Sequence, residues 1–382
     1  MNNAWLVGDM GFGDGGKGAE VARLTLKHNA TLNVRFNGGA QAAHNVVYTD
    51  GRHHTFHQYG SGSFSGAHTY LGPHVRFDPF AYEIETLELR AKGVKTYLSV
   101  HPDCVIVTPL HVLRSEAQAY QHRRGSTGAG VGVAARYAEA QPERALYAGD
   151  LASERRIRTA LFQMRTDFRL DDLTDAVIES IAHSLYEIGL DVELLYPADV
   201  FRDHENVVFE GAQGAMLHRI RGFTPYVTSS DTSFRHAMEM LRGGVKITKV
   251  GVTRMYMTRH GRGPFPSEIR SDLMPLELHN TDGKPHLQGA WRTGWLDLQI
   301  LQYGIDILGG VDEITMSHMD CWTPEFKVVG LRSEKRLDDT WMYNMKFDTE
   351  TQYVDWIEQT LQHPITVLGR GVRVSDREER NT

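Results

Sequence analysis

The apolar positions of the chain fall into short runs separated by glycine turns and by segments with helical spacing. Ala4 to Gly8 is an apolar run ending in glycine, Asp9 to Gly18 is glycine-dense, and Glu20 to His28 carries Val21, Leu24 and Leu26 at apolar helix positions. Strand, glycine loop and helix are how an α/β nucleotide-binding unit begins. Leu32 to Phe36 predicts a second strand, closed by the Asn37-Gly38-Gly39 turn. Helices are predicted at 80–92, 109–122, 153–165, 174–190, 232–242, 296–307 and 351–361, and buried strands at 95–99, 104–107, 206–209, 245–251, 313–317 and 364–368. The alternation predicts an α/β fold with a large, mostly parallel central sheet flanked by helices. With no internal repeat, low-complexity block or clear linker, residues 1–382 read as a single domain with inserted subdomains.

The 382 residues suffice for a sizeable core, and a net charge of -7 argues against a nucleic-acid surface, which needs a basic excess. A local basic pocket for one nucleotide is compatible with that balance. Cys104 and Cys321 are far apart and lack metal-ligand spacing, so they read as reduced structural thiols of a cytoplasmic protein. The N-terminus lacks the basic-then-apolar pattern of a signal peptide, and no apolar run approaches the length of a membrane span. His53, His54 and His57 cluster without zinc spacing.

Gly11-Phe12-Gly13-Asp14-Gly15-Gly16-Lys17-Gly18 is the first chemical signal. Glycines let backbone amides approach an anion, lysine adds charge, and the following helix start favours negative groups. The spacing is not that of a Walker A loop, and no hydroxyl follows the lysine. Asp14 is unusual in such a place: phosphates repel a carboxylate unless it holds a cation or takes a proton. Taken alone, the segment is also compatible with a structural turn.

Four further blocks follow in order: Asn37-Gly38-Gly39-Ala40-Gln41-Ala42-Ala43-His44, Phe209-Glu210-Gly211-Ala212-Gln213-Gly214, Pro225-Tyr226-Val227-Thr228-Ser229-Ser230 and Gly263-Pro264-Phe265-Pro266-Ser267-Glu268. With Gly125-Ser126-Thr127-Gly128, Gly149-Asp150-Leu151 and Arg292-Thr293-Gly294-Trp295-Leu296-Asp297, they resemble the adenylosuccinate synthetase family from about residue 4 to about 375, weakly over the last sixty or so. The resemblance implies a P-loop-like architecture and a ligase. Such an enzyme phosphorylates the 6-oxygen of a purine nucleotide with a nucleoside triphosphate and then replaces it with an amine.

The resemblance implies Asp14 as general base and, with the Ala43 carbonyl, as Mg2+ ligand. It implies His44 as general acid, and Lys17 with the amides of Gly13, Gly15, Gly16 and Gly18 on the phosphates, together with Asn45. Gln213 would bond near the purine 6-position, Gln41 would line the nucleotide pocket, and Thr127 and Thr228 would hold the 5′-phosphate. Thr228, Ser229 and Ser230 also fit a helix N-cap cluster. Asp320 would read the triphosphate's base, beside His318 and Gly371. The partners implied are a purine nucleoside monophosphate, GTP or ATP, an aspartate-like amine and a second copy of the chain reached through Arg144, with no nucleic acid and no membrane.

Departures bear on substrate identity. The family's amine-donor loop has closely spaced arginines, whereas here Arg292 stands next to the motif with Lys284 upstream; lysine does not reproduce a bidentate carboxylate grip. His318 stands where the family has lysine. Retention of Asp14 favours IMP over dGMP, the substrate of some phage relatives, while Gly15 in place of glutamate opens space in the loop and favours the reverse.

Overall fold

Side chains of β1 (Asn3–Asp9) alternate between two cores, and the fold is organised around that strand. Leu6 joins Val34, Phe209 and Ile314 on one face, while Val7 packs with Val21, Leu24, Val208 and Val250 on the other. Successive strand residues point to opposite faces, so burial on both sides demands the near-continuous apolar run seen in the sequence.

The computed structural model describes residues 1–122, 127–269, 289–325, 327–330, 342–343 and 347–380. After β1 come α1 (Lys17–Lys27), β2 (Leu32–Arg35), β3 (His44–Val47), β4 (His53–Phe56), β5 (His68–Leu71), β6 (Arg76–Phe77), α2 (Pro79–Ala91), β7 (Leu98–Val100) and β8 (Val105–Ile106). A largely helical section follows, with α3 (Pro109–His122), α4 (Val131–Ala140), α5 (Glu154–Phe168), α6 (Asp175–Leu190), β9 (Glu193–Leu194) and α7 (Pro197–Val200). Then come β10 (Asn206–Gly214), α8 (Arg235–Met240), β11 (Lys246–Arg254), β12 (Met257–His260), β13 (Glu268–Ile269), β14 (Trp291–Gly294), β15 (Leu296–Asp297) and α9 (Leu298–Leu308). The chain closes with β16 (Glu313–Ser317), β17 (Val328–Val329), β18 (Met342–Tyr343), α10 (Glu350–Leu361), β19 (Ile365–Gly369) and β20 (Arg377–Glu379).

Ten strands form one sheet in the order β20-β19-β16-β11-β1-β10-β2-β5-β7-β9. Its pairings are parallel except for β20 on β19. Asp78, Ser153, Thr174, Asp297 and Thr349 start α2, α5, α6, α9 and α10 by accepting first-turn amides. The 104–107 strand forms as β8 but pairs with β6, apart from the main sheet. The 232–242 helix shortens to α8, because Asp231 takes the Ser233 amide and hydroxyl into a turn ahead of it. The β3–β4 hairpin was not legible, its two strands being only four residues long and mixing polar with apolar positions. Among the described residues no helix is long and apolar enough to cross a membrane.

His111 and His68 are among the histidines that the fold holds neutral. His111 is fully buried, its Nδ1 accepts the Thr108 amide at 3.0 Å, and burial pulls its pKa down to about 3. Burial, with His204 beside it, pulls His68 down to about 4. Unfolded imidazoles titrate near 6.5, so below that pH the unfolded chain binds protons that the folded sites refuse. Stability is therefore fully present above about pH 6.5 and falls as pH drops toward about 4. Melting curves across this window test it: the melting temperature declines with falling pH, less steeply in His111→Asn, and a flat profile would contradict neutral burial.

Candidate active site

In a parallel sheet, ligands bind outside the carboxyl ends of the strands, where the winding changes direction. Here those ends are Asp9 of β1, Gly214 of β10, Arg35 of β2, Arg254 of β11 and Ser317 of β16. The loop from Met10 to Gly16 leaves β1 at this rim and enters α1 at Lys17.

Asp9 shapes that loop. Its buried carboxylate accepts the amides of Gly11 at 2.8 Å, Gly13 at 3.1 Å and Gly15 at 2.6 Å, and lies 3.5 Å from Lys17 Nζ. Lys17 Nζ also donates to the Gly13 carbonyl. The Gly13 and Gly15 amides, expected on phosphate, are thus given to Asp9. Nor does Gly15 open substrate space: a Cβ there would lie 2.6 Å from Asp9 Oδ2 and 2.9 Å from the Val252 carbonyl. The glycine makes room for Asp9, and the reading that it favours dGMP falls away.

Asp14 stands at the mouth, its side chain about one-third exposed and Oδ2 3.5 Å from His260 Nε2. Its backbone carbonyl accepts from Arg254 Nε. Arg254 lies over Trp291, whose edge meets the His260 ring, so β11, β12 and β14 together brace the aspartate. The sequence reading missed both His260 and Arg254.

His44 begins β3 against the start of α1, where a Cβ on Gly18 would lie 3.0 Å from the His44 Cβ. Its Nδ1 is 2.5 Å from Glu210 Oε1, and both side chains are buried. Burial alone would raise Glu210, but the His44 hydrogen bond, nearby Arg35 and Ser61 bring it down to about 2. Burial brings His44 down to about 4 against the pull of Glu210. The pair is therefore a carboxylate accepting Nδ1–H, which fixes the tautomer and leaves Nε2 as the atom for substrate. Arg35 holds the surrounding turn through the carbonyls of His57 at 2.6 Å, Tyr59 at 3.2 Å and Ala42 at 3.5 Å. Glu210 sat inside a recognised block but received no role; Arg35 gave no signal.

Both polar atoms of the Gln213 carboxamide are buried without a hydrogen-bond partner among the described residues, and so is Gln41 Oε1. A Cβ on Gly13 would lie 3.5 Å from the Gln213 backbone, one on Gly38 3.6 Å from the Gln213 carboxamide and one on Gly39 3.1 Å from Gln41 Oε1, so both amides lie against the Gly38-Gly39 turn. Gly38 adopts φ +79°, and a Cβ there would collide with Ala212 at 2.4 Å. Asn37 locks this turn, accepting the Ala212 amide at 2.7 Å and donating to the Asp231 carbonyl at 2.8 Å. Buried amides without partners are costly and mark places built for a polar ligand.

Thr127 is exposed just before α4, and a Cβ on Gly132 in the first turn of α4 would lie 3.9 Å from Ser229 Oγ. The 127–132 and 228–230 segments thus approach each other. The Thr228 amide donates to the Leu217 carbonyl at 2.8 Å. Arg144 is tied to Asp167 at 3.2 Å. Ala43 is exposed, and Asn45 Oδ1 accepts from His53 and Thr55.

On the other flank, Ser317 Oγ reaches the Gly15 carbonyl at 3.2 Å, and Gly369 packs on Ser317, bringing the Gly371 loop alongside. His318 has φ +63°, and burial, with Arg254 and Arg377 nearby, pulls it down to about 2. Asp320 is exposed on the next turn. Arg377 of β20, unforeseen, has an almost fully buried side chain near Gly16, with Nε 3.7 Å from Glu20 Oε2. Arg292 is committed elsewhere. It chelates Glu268 and donates to the carbonyls of Gly261 at 3.0 Å and Gly263 at 2.8 Å, so it is not held out to a donor carboxylate. Lys284 lies outside the described residues.

The Asp9 contacts make a direct prediction. Gly15→Ala forces a methyl onto the Asp9 carboxylate and should raise the KM for the triphosphate at least about tenfold, on the scale of one lost charge-assisted hydrogen bond. Asp9→Asn should do the same, because its NH2 would face donors. Steady-state kinetics check this, and wild-type constants in both variants would refute it.

A sequence profile of the adenylosuccinate synthetase family matches residues 6–350. Adenylosuccinate synthetase of Picrophilus torridus is 33% identical over 341 residues, covering 82% of this chain and 76% of its own. That of Nitrosococcus oceani is 32% identical over 335 residues, covering 81% and 75%. Among solved structures, fully ligated adenylosuccinate synthetase from Plasmodium falciparum has TM-score 0.85 at 19% identity over 100% of both chains. Succinoaminodeoxyadenylate synthetase of cyanophage S-2L, bound to dGMP and dATP as an energy donor, has TM-score 0.73 at 20% identity over 100% of this chain and 96% of that one. These structural likenesses concern the fold, and the profile and the relatives decide the rest: the chain belongs to the adenylosuccinate synthetase family of C–N bond-forming ligases.

Proposed function

We propose that this ligase phosphorylates the 6-oxygen of a 6-oxopurine nucleotide, IMP or a close relative, with a nucleoside triphosphate. Aspartate or a related amine then displaces the phosphate, giving adenylosuccinate or an analogue. The observation that carries this reading is the Gln213 carboxamide, buried, unpartnered and adjacent to the loop that bears Asp14.

In this reading Asp14 takes the N1 proton, the 6-oxygen attacks the γ-phosphorus, and the bond to the β–γ bridging oxygen breaks. The donor nitrogen then attacks C6, and the 6-oxygen departs with inorganic phosphate. His44, protonated on Nε2 once the anionic triphosphate is bound, donates a hydrogen bond from that nitrogen to the transferring phosphoryl group while Glu210 accepts from Nδ1. Lys17, Gly16, Gly18 and the start of α1 face the triphosphate, and catalysis rests on alignment and charge. Gln41, Thr127 and Thr228 hold the monophosphate, Asp320 with Gly371 reads the triphosphate's base in favour of GTP, and Arg144 contributes across a homodimer in the cytoplasm. A hard cation suits oxygen ligands such as the exposed Asp14 carboxylate. Mg2+ would be held by Asp14, the Ala43 carbonyl and phosphate oxygens, and supplies charge neutralisation.

In a second reading the substrate is dGMP and the donor ATP or dATP; one observation favours that donor: beside Asp320 stands His318, which burial keeps uncharged.

Phosphate release across a matrix of IMP and dGMP, GTP and ATP, aspartate and other amines tests both. Turnover with IMP, GTP and aspartate supports the first, turnover confined to dGMP supports the second, and none in any cell defeats both. Asp14→Asn should abolish turnover with nucleotide binding nearly intact. His44→Ala should cost on the order of 10²-fold or more in kcat. Near-wild-type kcat in either variant would remove that residue from the mechanism.

A further inference from the structure

We propose that His74, His236 and Glu239 form a binding site for a first-row divalent transition cation, such as Zn2+ or Ni2+, distinct from the phosphate loop. His236 and Glu239 are three apart on α8 and share one helix face. His74 comes from the turn between β5 and β6. That turn is seated on α8, since a Cβ on Gly72 would lie 3.0 Å from the Met240 sulfur. The two imidazoles stack with centroids 3.6 Å apart and planes 12° apart, and His74 Nε2 is 3.4 Å from Glu239 Oε2. One donor atom from each of the three residues lies within 4.8 Å of the other two.

Three features favour a cation over an incidental cluster. His236 Nδ1 is buried with no hydrogen-bond partner among the described residues. Arg235 Nε binds the other carboxylate oxygen, Oε1, at 2.8 Å, which orients Oε2 toward the histidines as an outer partner orients a ligand. Two imidazole nitrogens with one carboxylate suit zinc, nickel, cobalt or copper, whereas magnesium and calcium prefer all-oxygen sets. Nitrogen ligands bind zinc at about 2.0–2.1 Å, so the donors must close by roughly an ångström and one ring must turn out of the stack. His74 has the freedom to do so, its side chain being 42% exposed. Three protein ligands leave a fourth position for water or a small ligand.

An ion here would pin the β5–β6 turn to α8. It would also brace the Asp231 turn just before that helix, whose backbone carbonyl is bonded by Asn37.

The test is calorimetric titration of Zn2+ and Ni2+ into the full chain in excess Mg2+, with thermal unfolding in parallel. Wild type should bind one equivalent tightly and gain melting temperature. His74→Asn, His236→Asn and Glu239→Gln should each bind at least about tenfold more weakly and lose that gain. His74→Asn and Glu239→Gln alter exposed side chains, so the comparison survives if His236→Asn fails to fold. No tight equivalent in wild type, or undiminished binding in His74→Asn and Glu239→Gln, overturns the proposal.

Discussion

The Asp9 carboxylate occupies the middle of the glycine loop, and the rest of the site depends on where it sits. A buried carboxylate is tolerable only when its charge and lone pairs are met. Here the amides of Gly11, Gly13 and Gly15 and the Lys17 ammonium gather around it. The alternation matters: every second residue turns its amide inward, which sets the course of the backbone between β1 and α1 and brings Asp14 out at the mouth. It also decides which residue type each position allows, since the Gly15 Cβ direction runs into the carboxylate itself. The loop is thus shaped by an internal anion before any ligand arrives. What remains to meet a triphosphate is the start of α1 and the side chains of neighbouring strand ends.

Those strand ends divide the labour by charge. On the β10 and β2 side, Glu210 accepts from His44 and from the Ser61 amide and hydroxyl, and fixes the imidazole through one nitrogen. Next to it lie Gln213 and Gln41; the Gln213 carboxamide and Gln41 Oε1 lack hydrogen-bond partners among the described residues. A neutral, hydrogen-bonding wall beside a charged loop is what a purine carbonyl facing a phosphate needs. Preorganised donors cost no reorganisation at the moment of reaction. On the β11 and β16 side the groups are cationic or aromatic: Arg254, His260 and Trp291 around Asp14, and Arg377 beside Gly16.

Local pattern carried the fold a long way. The apolar run of β1, the glycine loop and the helix after it were legible because periodicity and glycine chemistry are short-range signals. So were Asp14, His44 and Gln213, because each lies in an ordered block. Asp9 left a weaker mark, an acid followed by glycines at 11, 13 and 15, which is the spacing that alternating inward amides require. Arg35 and Arg377 left none, because Arg35 bonds the carbonyls of Ala42, His57 and Tyr59 and Arg377 faces Glu20 of α1, pairings that no local pattern announces. Gly15 was misjudged because the space beside it is filled by a residue six positions earlier.

The two arginines show why residue type without topology misassigns roles. A guanidinium has five N–H donors in a fixed fork, so its availability depends on how many are already used. Arg292 stands beside the family motif yet spends its fork on Glu268 and the carbonyls of Gly261 and Gly263, which makes it a clamp on the 261–268 segment. Arg377 lies in the stretch that least resembles the family, but the antiparallel β20 carries it back to Gly16 and Ser317, where Nε faces Glu20 and Nη1 donates to the Arg373 carbonyl at 3.3 Å. Burial leaves His318 uncharged where the resemblance leads one to expect lysine, and Arg377 stands close enough to lower it further. The positive charge at this corner of the loop is therefore supplied from a different strand, by a guanidinium whose Nη2 would lie 3.5 Å from a Cβ on Gly16.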